Sequence, residues 1–286
     1  MSSFTESEIL ETHNEAFSDY EVPMQISLES FRNLNRRRGV SYNLSLGAVD
    51  GEKLVGFILN AIDYWEDKLT AYDCGTGVIP DYRQKGVGNR IFSELLPILQ
   101  AENIEQYLLE VIQSNTAAYN LYKKRNFQIT RKFDCLMAEI KEIKSCLHNS
   151  RNNPLAEKYD IREINSIDWN YVINFWDYPP SWQNSNMSVQ RLPNSFNYLG
   201  AFSEENLVGY LVYEPNGGLT QIAVSKNKRN QGIGTELIKY LIKQNSNVDK
   251  LSIINVDTRD NSLLGFIKCL GFNSFITQFE MNLKIK

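Results

Sequence analysis

The sequence predicts an α/β (α+β) fold of two tandem domains, each a mixed twisted sheet with helices on both faces. Three observations lead there. The length of 286 residues is about twice the ~140 at which single cores are common. Three landmarks occur twice in the same order, which marks a duplicated unit. Between them, strand-like runs alternate with helical stripes, the order that gives a mixed sheet covered on both sides.

The first landmark is a hairpin. Leu46-Gly47-Ala48-Val49 leads through Glu52 to Leu54-Val55-Gly56-Phe57, and Leu199-Gly200-Ala201-Phe202 leads through Glu205 to Leu207-Val208-Gly209-Tyr210 with the same spacing. The second is a glycine loop, Arg83-Gln84-Lys85-Gly86-Val87-Gly88 and Arg229-Asn230-Gln231-Gly232-Ile233-Gly234. A helix follows each loop, with the apolar stripe Ile91, Leu95, Leu96 and Leu99 in one copy and Leu237, Ile238, Leu241 and Ile242 in the other. The third landmark, Asn126-Phe127 and Gly271-Phe272, precedes the closing strands.

The first copy is longer between hairpin and loop, 27 positions from Gly56 to Arg83 against 20 from Gly209 to Arg229. The surplus lies around Asp63 to Leu69 and fits either an extended hairpin or a loop over the site. The run His148-Asn149-Ser150-Arg151-Asn152-Asn153-Pro154 is polar and turn-forming. It sets an N-terminal domain at 1–145, a linker at 146–158 and a C-terminal domain at 159–286.

An apolar fraction of 42 % with 22 % charged residues is ordinary for a folded globular chain and excludes a fibrous or disordered one. A net charge of -4 argues against nucleic acid as the main partner, because phosphate binding leaves a basic footprint. Cys74, Cys135, Cys146 and Cys269, with His13 and His148, show no CxxC pair or short ligand spacing. They predict no metal site and reduced structural thiols. Met1 to Leu10 is polar and acidic, without the basic and apolar regions of a secretory leader, and no window approaches the ~20 apolar residues of a membrane span. The expectation is a cytoplasmic protein with no membrane partner, either a monomer with an internal pseudo-dimer or a homodimer.

Each glycine loop joins a strand end to a helix start, where unpaired backbone N–H groups and the positive end of the helix dipole attract anions. Glycine lets the backbone approach a diphosphate, and the arginine adds a positive fork. A P-loop is absent, and Gly75-Thr76-Gly77 lacks the third glycine of a dinucleotide fingerprint, which disfavours nucleotide hydrolysis and hydride transfer.

Val78-Ile79-Pro80-Asp81-Tyr82-Arg83-Gln84-Lys85-Gly86-Val87-Gly88 resembles the coenzyme A signature of the GNAT N-acetyltransferases, V-x-P-x-x-[RQ]-x-x-G-x-[GA]. Asn115-Thr116-Ala117-Ala118-Tyr119-Asn120-Leu121-Tyr122 with Phe127 resembles that family's N-x-x-A-x-x-L-Y-x-x-x-G-F. Asn126 replaces the usual glycine, but asparagine also tolerates a left-handed cap. The resemblance covers most of Leu46 to Phe133 and, more loosely, Leu199 to Phe279.

This resemblance implies acetyl-CoA as cofactor. It would be held by Gly77, Val78, Ile79, Arg83, Gln84, Lys85, Gly86, Val87, Gly88 and Asn89, and by Asn115, Ala118 and Tyr122. In the second copy the equivalents are Ala223, Val224, Arg229, Asn230, Gln231, Gly232, Ile233, Gly234 and Thr235. The family also implies a sheet splayed beside the loop. Its edge, Gly75 to Ile79 here, would pair with the pantetheine arm like an added strand, and N–H groups near Val78 would polarise the thioester carbonyl.

Amine acylation requires a neutral nucleophile and a protonated leaving thiol. Deprotonating an amine of pKa near 10.4 at pH 7 costs about 4.6 kcal/mol, so a base is useful. Glu110, in the predicted strand Leu108 to Ile112, lies 12 residues before Tyr122 in the predicted helix Thr116 to Lys124. The pair resembles that of the ribosomal-protein alanine acetyltransferases, which implies Glu110 as base and Tyr122 as acid; Asp73 is the rival base. At an offset of 145, Asn255 stands opposite Glu110 and Ile267 opposite Tyr122. The second copy is therefore expected either to bind coenzyme without turnover or to be a scaffold that shapes the first site, with Asp257 a possible substitute base.

Two further features are ambiguous. Trp169, Tyr171, Phe175, Trp176, Tyr178 and Trp182 surround Pro179-Pro180 and fit core packing, an inter-domain contact or an acceptor-facing surface. Arg36-Arg37-Arg38 fits a solvated helix end or a site for an acidic acceptor. The sequence thus predicts an N-acetyltransferase moving an acetyl group from acetyl-CoA to a small-molecule or peptide primary amine by direct attack in a ternary complex. The alternative is a non-catalytic acyl-CoA binding or sensing protein, or a scaffold with both domains inactive.

Overall fold

The structure is a computed structural model that describes residues 1–20, 24–149 and 158–285. Its contacts define two compact units, Met1–Thr130 with Phe279–Lys286, and Arg131–Gln278. Of the expected linker at 146–158, Cys146 to Asn149 end a helix and residues 150–157 lie outside the described residues.

The first unit opens with α1 (Glu6–Ala16), started by a capping box in which Thr5 accepts from the Glu8 N–H and Glu8 reaches back to the Thr5 N–H. Next comes α2 (Leu28–Arg38), capped by Ser27 and ended by Gly39 in the left-handed region at φ 84°. Strands β1 (Leu46–Asp50), β2 (Lys53–Trp65) and β3 (Lys68–Val78) form an antiparallel meander. The β2–β3 ladder runs out to Trp65↔Lys68, with Glu66 and Asp67 at φ 51° and 61° as the two left-handed residues of a tight hairpin turn. The surplus residues of the first copy thus form an extended hairpin.

The glycine loop leads into α3 (Val87–Ala101), then β4 (Gln106–Ile112), α4 (Thr116–Lys124) and β5 (Gln128–Glu139). Asn126, at φ 65°, takes the left-handed turn after α4 that its place in the motif requires.

After β5 the second unit has two added elements, α5 (Ile140–Asn149) and β6 (Asp160–Ile164), and then repeats this order with short helices α6 (Trp169–Val172) and α7 (Asn186–Arg191), followed by β7 (Asn197–Ser203), β8 (Asn206–Tyr213) and β9 (Gly218–Val224). It continues through α8 (Ile233–Gln244), β10 (Lys250–Asp257), α9 (Asn261–Cys269) and β11 (Asn273–Lys284).

The two closing strands divide between the units. Residues from Phe279 onward complete the first unit: Ile285 N–H bonds the Glu105 carbonyl at 2.9 Å, and Met281, 1 % exposed, packs with Tyr107, Leu109 and Phe127. Residues from Arg131 onward serve the second unit, where Lys250↔Glu139 to Asp257↔Phe133 form an antiparallel ladder. The compact units therefore depart from the halves of the sequence at these two strands.

Each unit buries apolar side chains on both faces of its sheet, as alternation along the strands requires. In the first, Ile91, Leu95, Tyr107 and Tyr122 fill one face and Ile9, Phe31, Phe57 and Leu59 the other. In the second, Leu237, Leu241, Ile253 and Ile267 oppose Val172, Phe175, Val189 and Tyr210. Among the described residues no helix is long and apolar enough to cross a membrane.

Candidate active site

Strand β3 pairs in parallel with β4 from Thr70↔Gln106 to Asp73↔Leu109 and no further. Beyond that point β3 follows β2 up to Gly56↔Val78 while β4 runs on to Ile112, so the sheet splits beside the glycine loop. In that loop Gln84 and Gly86 adopt left-handed backbone at φ 60° and 80°. A Cβ on Gly86 would meet nothing within 4 Å, so glycine is required there by conformation and the space before it is open.

Gly86 caps α3 without a side-chain bond, and the first intrahelical bond is Arg90 N–H to Gly86 O at 3.0 Å. The N–H groups of Val87, Gly88 and Asn89 precede it and have no intrahelical acceptor. Unpaired donors of this kind, at the positive end of a helix dipole, attract anions. Lys85 lies with Nζ 5.1 Å from the Tyr82 ring centre. Nearby, Asn115 caps α4 by accepting from the Ala118 N–H at 3.1 Å, and its amide donates to the Tyr20 hydroxyl at 3.1 Å.

The arginine expected as a fork toward phosphate is engaged elsewhere. Arg83 Nε donates to Val78 O at 3.1 Å, Nη2 to Ala16 O at 2.7 Å, and Nη1 and Nη2 to the Asp19 carboxylate at 2.7 and 2.8 Å.

The expected acid and base sit on different faces of β4. Tyr122 is buried with Tyr107, Leu109 and Val111, and its hydroxyl donates to Asp73 Oδ2 at 3.2 Å. Asp73 also accepts from the Thr76 hydroxyl at 2.6 Å and the Gly75 N–H at 2.9 Å. Burial raises the Asp73 pKa to about 6, partly offset by the bonds from Thr76, Gly75 and Tyr122. Burial first, then the Asp73 charge, pushes Tyr122 well above 10.

Glu110 is the first β4 residue past the last paired position and alternates to the face opposite Leu109 and Val111. The buried Tyr72 hydroxyl hydrogen-bonds it, and Tyr72 is raised well above 10, mainly by burial and then by the Glu110 charge. Arg38 reaches the same strand end, Nη1 donating to Cys74 O at 2.7 Å. The last of the three arginines is thus tied to the split rather than left as a solvated helix end.

The acetyltransferase (GNAT) family model matches residues 6–127 and again 159–272, once in each half of the sequence. The chain belongs to the GNAT acetyltransferase family. Solved structures share its fold at low identity. A tandem GNAT protein from the clavulanic acid biosynthesis pathway, solved without acetyl-CoA, is 12 % identical over 99 % of this chain and 95 % of its own, at a TM-score of 0.70. A GCN5-related N-acetyltransferase from Sphaerobacter thermophilus is 13 % identical over 99 % and 94 %, at 0.69. The GCN5-related glucosamine N-acetyltransferase region of a fungal multi-domain GH3 β-N-acetylglucosaminidase gives 17 %, 99 % and 37 %, at 0.72. None of the curated proteins compared matches the sequence. By family the protein is an acyltransferase.

The second GNAT copy repeats the frame with different side chains. β9 and β10 pair only at Gly218↔Ser252 and Leu219↔Ile253, and β9 continues along β8 to Gly209↔Val224. Asn230 and Gly232 repeat the left-handed pair at φ 60° and 86°, and Gly232 caps α8 without a side-chain bond.

A cleft of about 440 Å³ runs from this loop, including Ala223, Val224, Arg229, Asn230, Gly234 and Thr235, to a polar floor of Thr220, Gln221, Asn184 and Asn255. Its volume is in the range of small-molecule sites. Phe175, Trp176 and Tyr178 line it while Trp182 is fully buried, so the aromatic stretch serves both as cleft wall and as core. Gln231, the remaining loop residue, is hydrogen-bonded by the Tyr159 hydroxyl.

Ile267 is fully buried, and Leu219 holds the last paired position that Asp73 holds in the first unit. Asn255 is buried and donates to Ser181 Oγ at 3.3 Å. Asp257 is gripped by Arg259 at 2.7 and 2.9 Å; burial alone would raise its pKa, but the bonds from Arg259 outweigh it and the net shift is downward.

Sequence reasoning did not find Asp19, Tyr72 or Thr76. Asp19 and Tyr72 acquire their roles from partners 64 and 38 positions away. The Asp73-x-x-Thr76 spacing alone was a weak local signal.

Proposed function

We propose that the N-terminal unit transfers an acetyl group from acetyl-CoA to a primary amine by direct attack in a ternary complex. The observation that carries this reading is the split after Asp73↔Leu109, with Glu110 just beyond it, Tyr122 bonded to Asp73 at 3.2 Å and an open helix N-terminus at its mouth. Acetyl-CoA supplies an activated acyl group on a thiol leaving group. The N–H groups of Val87, Gly88 and Asn89 hold its diphosphate, with Asn115 and Ala118 at the adjacent turn, and the edge Gly75 to Ile79 pairs with the pantetheine arm.

Glu110, steadied by Tyr72, takes the proton from the amine directly or through water as the N–C bond forms. Tyr122 gives its proton to the sulfur as the C–S bond breaks. Its raised pKa keeps it protonated throughout the working range; at rest the hydroxyl donates to Asp73, and it turns from Asp73 to the sulfur as the thiolate forms. The Asp73 carboxylate already accepts from Gly75, Thr76 and Tyr122, which supports an orienting role for it and favours Glu110 as base.

In the second unit, Ile267, Leu219 and the Arg259-bound Asp257 support binding of the coenzyme without turnover. Thiol release from acetyl-CoA across a panel of primary amines tests the proposal. Release with at least one amine is expected. No release with any, alongside calorimetric binding of coenzyme A, would leave the acyl-CoA binding reading in its place.

A further inference from the structure

Arg83 and Arg229 share three bonds in two copies that otherwise differ; Arg83 adds a second bond to Asp19 and Arg229 one to Ser262 Oγ at 3.4 Å. In each, Nε donates to the carbonyl that ends the preceding strand, Val78 at 3.1 Å and Val224 at 3.3 Å. Nη2 donates to the carbonyl that ends α1, Ala16 at 2.7 Å, or to the one three residues past α6, Phe175 at 2.7 Å. Nη1 meets the carboxylate that follows shortly after, Asp19 at 2.7 Å and Asp177. In the second copy Lys226 reinforces Asp177 at 3.4 Å.

A guanidinium has five N–H donors in a rigid fork. Arg83 has four contacts inside its own unit, two of them a fork on Asp19, so its geometry is set by the protein rather than kept for a phosphate. The hydrogen bond from Arg83 holds the Asp19 pKa below the ordinary carboxylate value, as a persistent pair requires.

The segment these bonds hold bridges two helix starts. Arg83 fixes Asp19 to the loop before α3, and the next residue, Tyr20, accepts from Asn115 at the cap of α4 at 3.1 Å. In the second copy the corresponding residues Phe175, Trp176 and Tyr178 line the same cleft as Asn230 and Gly234.

We propose that Arg83 and Arg229 are positioning residues and not phosphate ligands: each locks a segment between two early helices, Phe17 to Tyr20 after α1 or Phe175 to Tyr178 after α6, to its glycine loop. Binding of a diphosphate at the main-chain N–H groups then orders that segment. The inference rests on the donor reading of the glycine loop. By linkage, a loop conformation that favours the ligand is favoured by it in turn, and the arginine transmits this to the segment.

The test is hydrogen exchange, resolved by peptide, on the full chain and on Arg83→Gln and Asp19→Asn during coenzyme A titration. Protection of 84–90 reads the affinity of the first loop, and protection of 14–20 reads the coupling. In the wild type both segments gain protection together, 14–20 by about tenfold or more. In both variants 84–90 titrates alike, no more than about tenfold more weakly than in the wild type, the reciprocal of the lost coupling, while 14–20 gains none.

More than about tenfold weaker binding in Arg83→Gln alone would make the arginine a phosphate ligand and overturn the proposal. Equal protection of 14–20 in all three proteins would overturn the coupling. Absence of protection at 84–90 in the wild type would instead remove the donor reading, and this inference with it.

Discussion

Replacing Asp73 with asparagine removes a titration that its buried carboxyl imposes on the first unit. Asp73 is 7 % exposed, and burial raises its pKa from 3.8 to about 6 against the opposing bonds from Thr76, Gly75 and Tyr122. A shift of about two units corresponds to about 3 kcal/mol. Because the folded pKa lies above the unfolded one, the folded state binds more protons between the two values. The contribution is fully present below about pH 3.8 and is lost as pH rises through about 6.

The wild type should therefore lose about 2–3 kcal/mol relative to Asp73→Asn between pH 4 and pH 7. Urea denaturation at a series of pH values measures this, read by hydrogen exchange of the peptide 104–112 so that the first unit is followed alone. Parallel pH profiles for the two proteins would refute a buried, proton-binding Asp73.

Tyr122→Phe should slow thiol release by about 10² to 10⁴-fold with coenzyme A affinity unchanged; an unchanged rate would remove Tyr122 as the acid. Met281→Ala should destabilise the first unit by about 2–5 kcal/mol, seen as faster exchange of the 104–112 peptide, even though Met281 lies among the last residues of the chain. Faster exchange confined to peptides of the second unit would contradict the packing of Met281 with Tyr107 and Leu109.

The sequence made the repeated frame readable because its landmarks are local. Gly86 and Gly232 take left-handed backbone at φ 80° and 86°, a demand that glycine at the same place in both loops signals, and the stripe from Ile91 to Leu99 needs only its own helix to be recognised. The choice of partner for Tyr122 was not local. Alternation along β4 places Glu110 opposite Leu109, but only the pairing of β3 with β4 shows that Asp73 shares the face of Tyr122.

The closing strands were ambiguous for the same reason. β5 and β11 are both 12 residues long and follow the same helix-and-turn landmark. Nothing within either one indicates that Met281 packs in the first unit while Leu136 packs in the second. The Arg83 fork looked available for phosphate because its partner Asp19 is 64 positions away.

The central claim is that the two copies share a frame and only the N-terminal one turns over. Gly86→Glu and Gly232→Glu test it as a matched pair, since both glycines hold left-handed backbone at similar φ and both cap the following helix without a side-chain bond. With any amine that supports thiol release from acetyl-CoA, Gly86→Glu should abolish release and Gly232→Glu should leave most of it. Loss of release in Gly232→Glu with activity retained in Gly86→Glu would contradict the account.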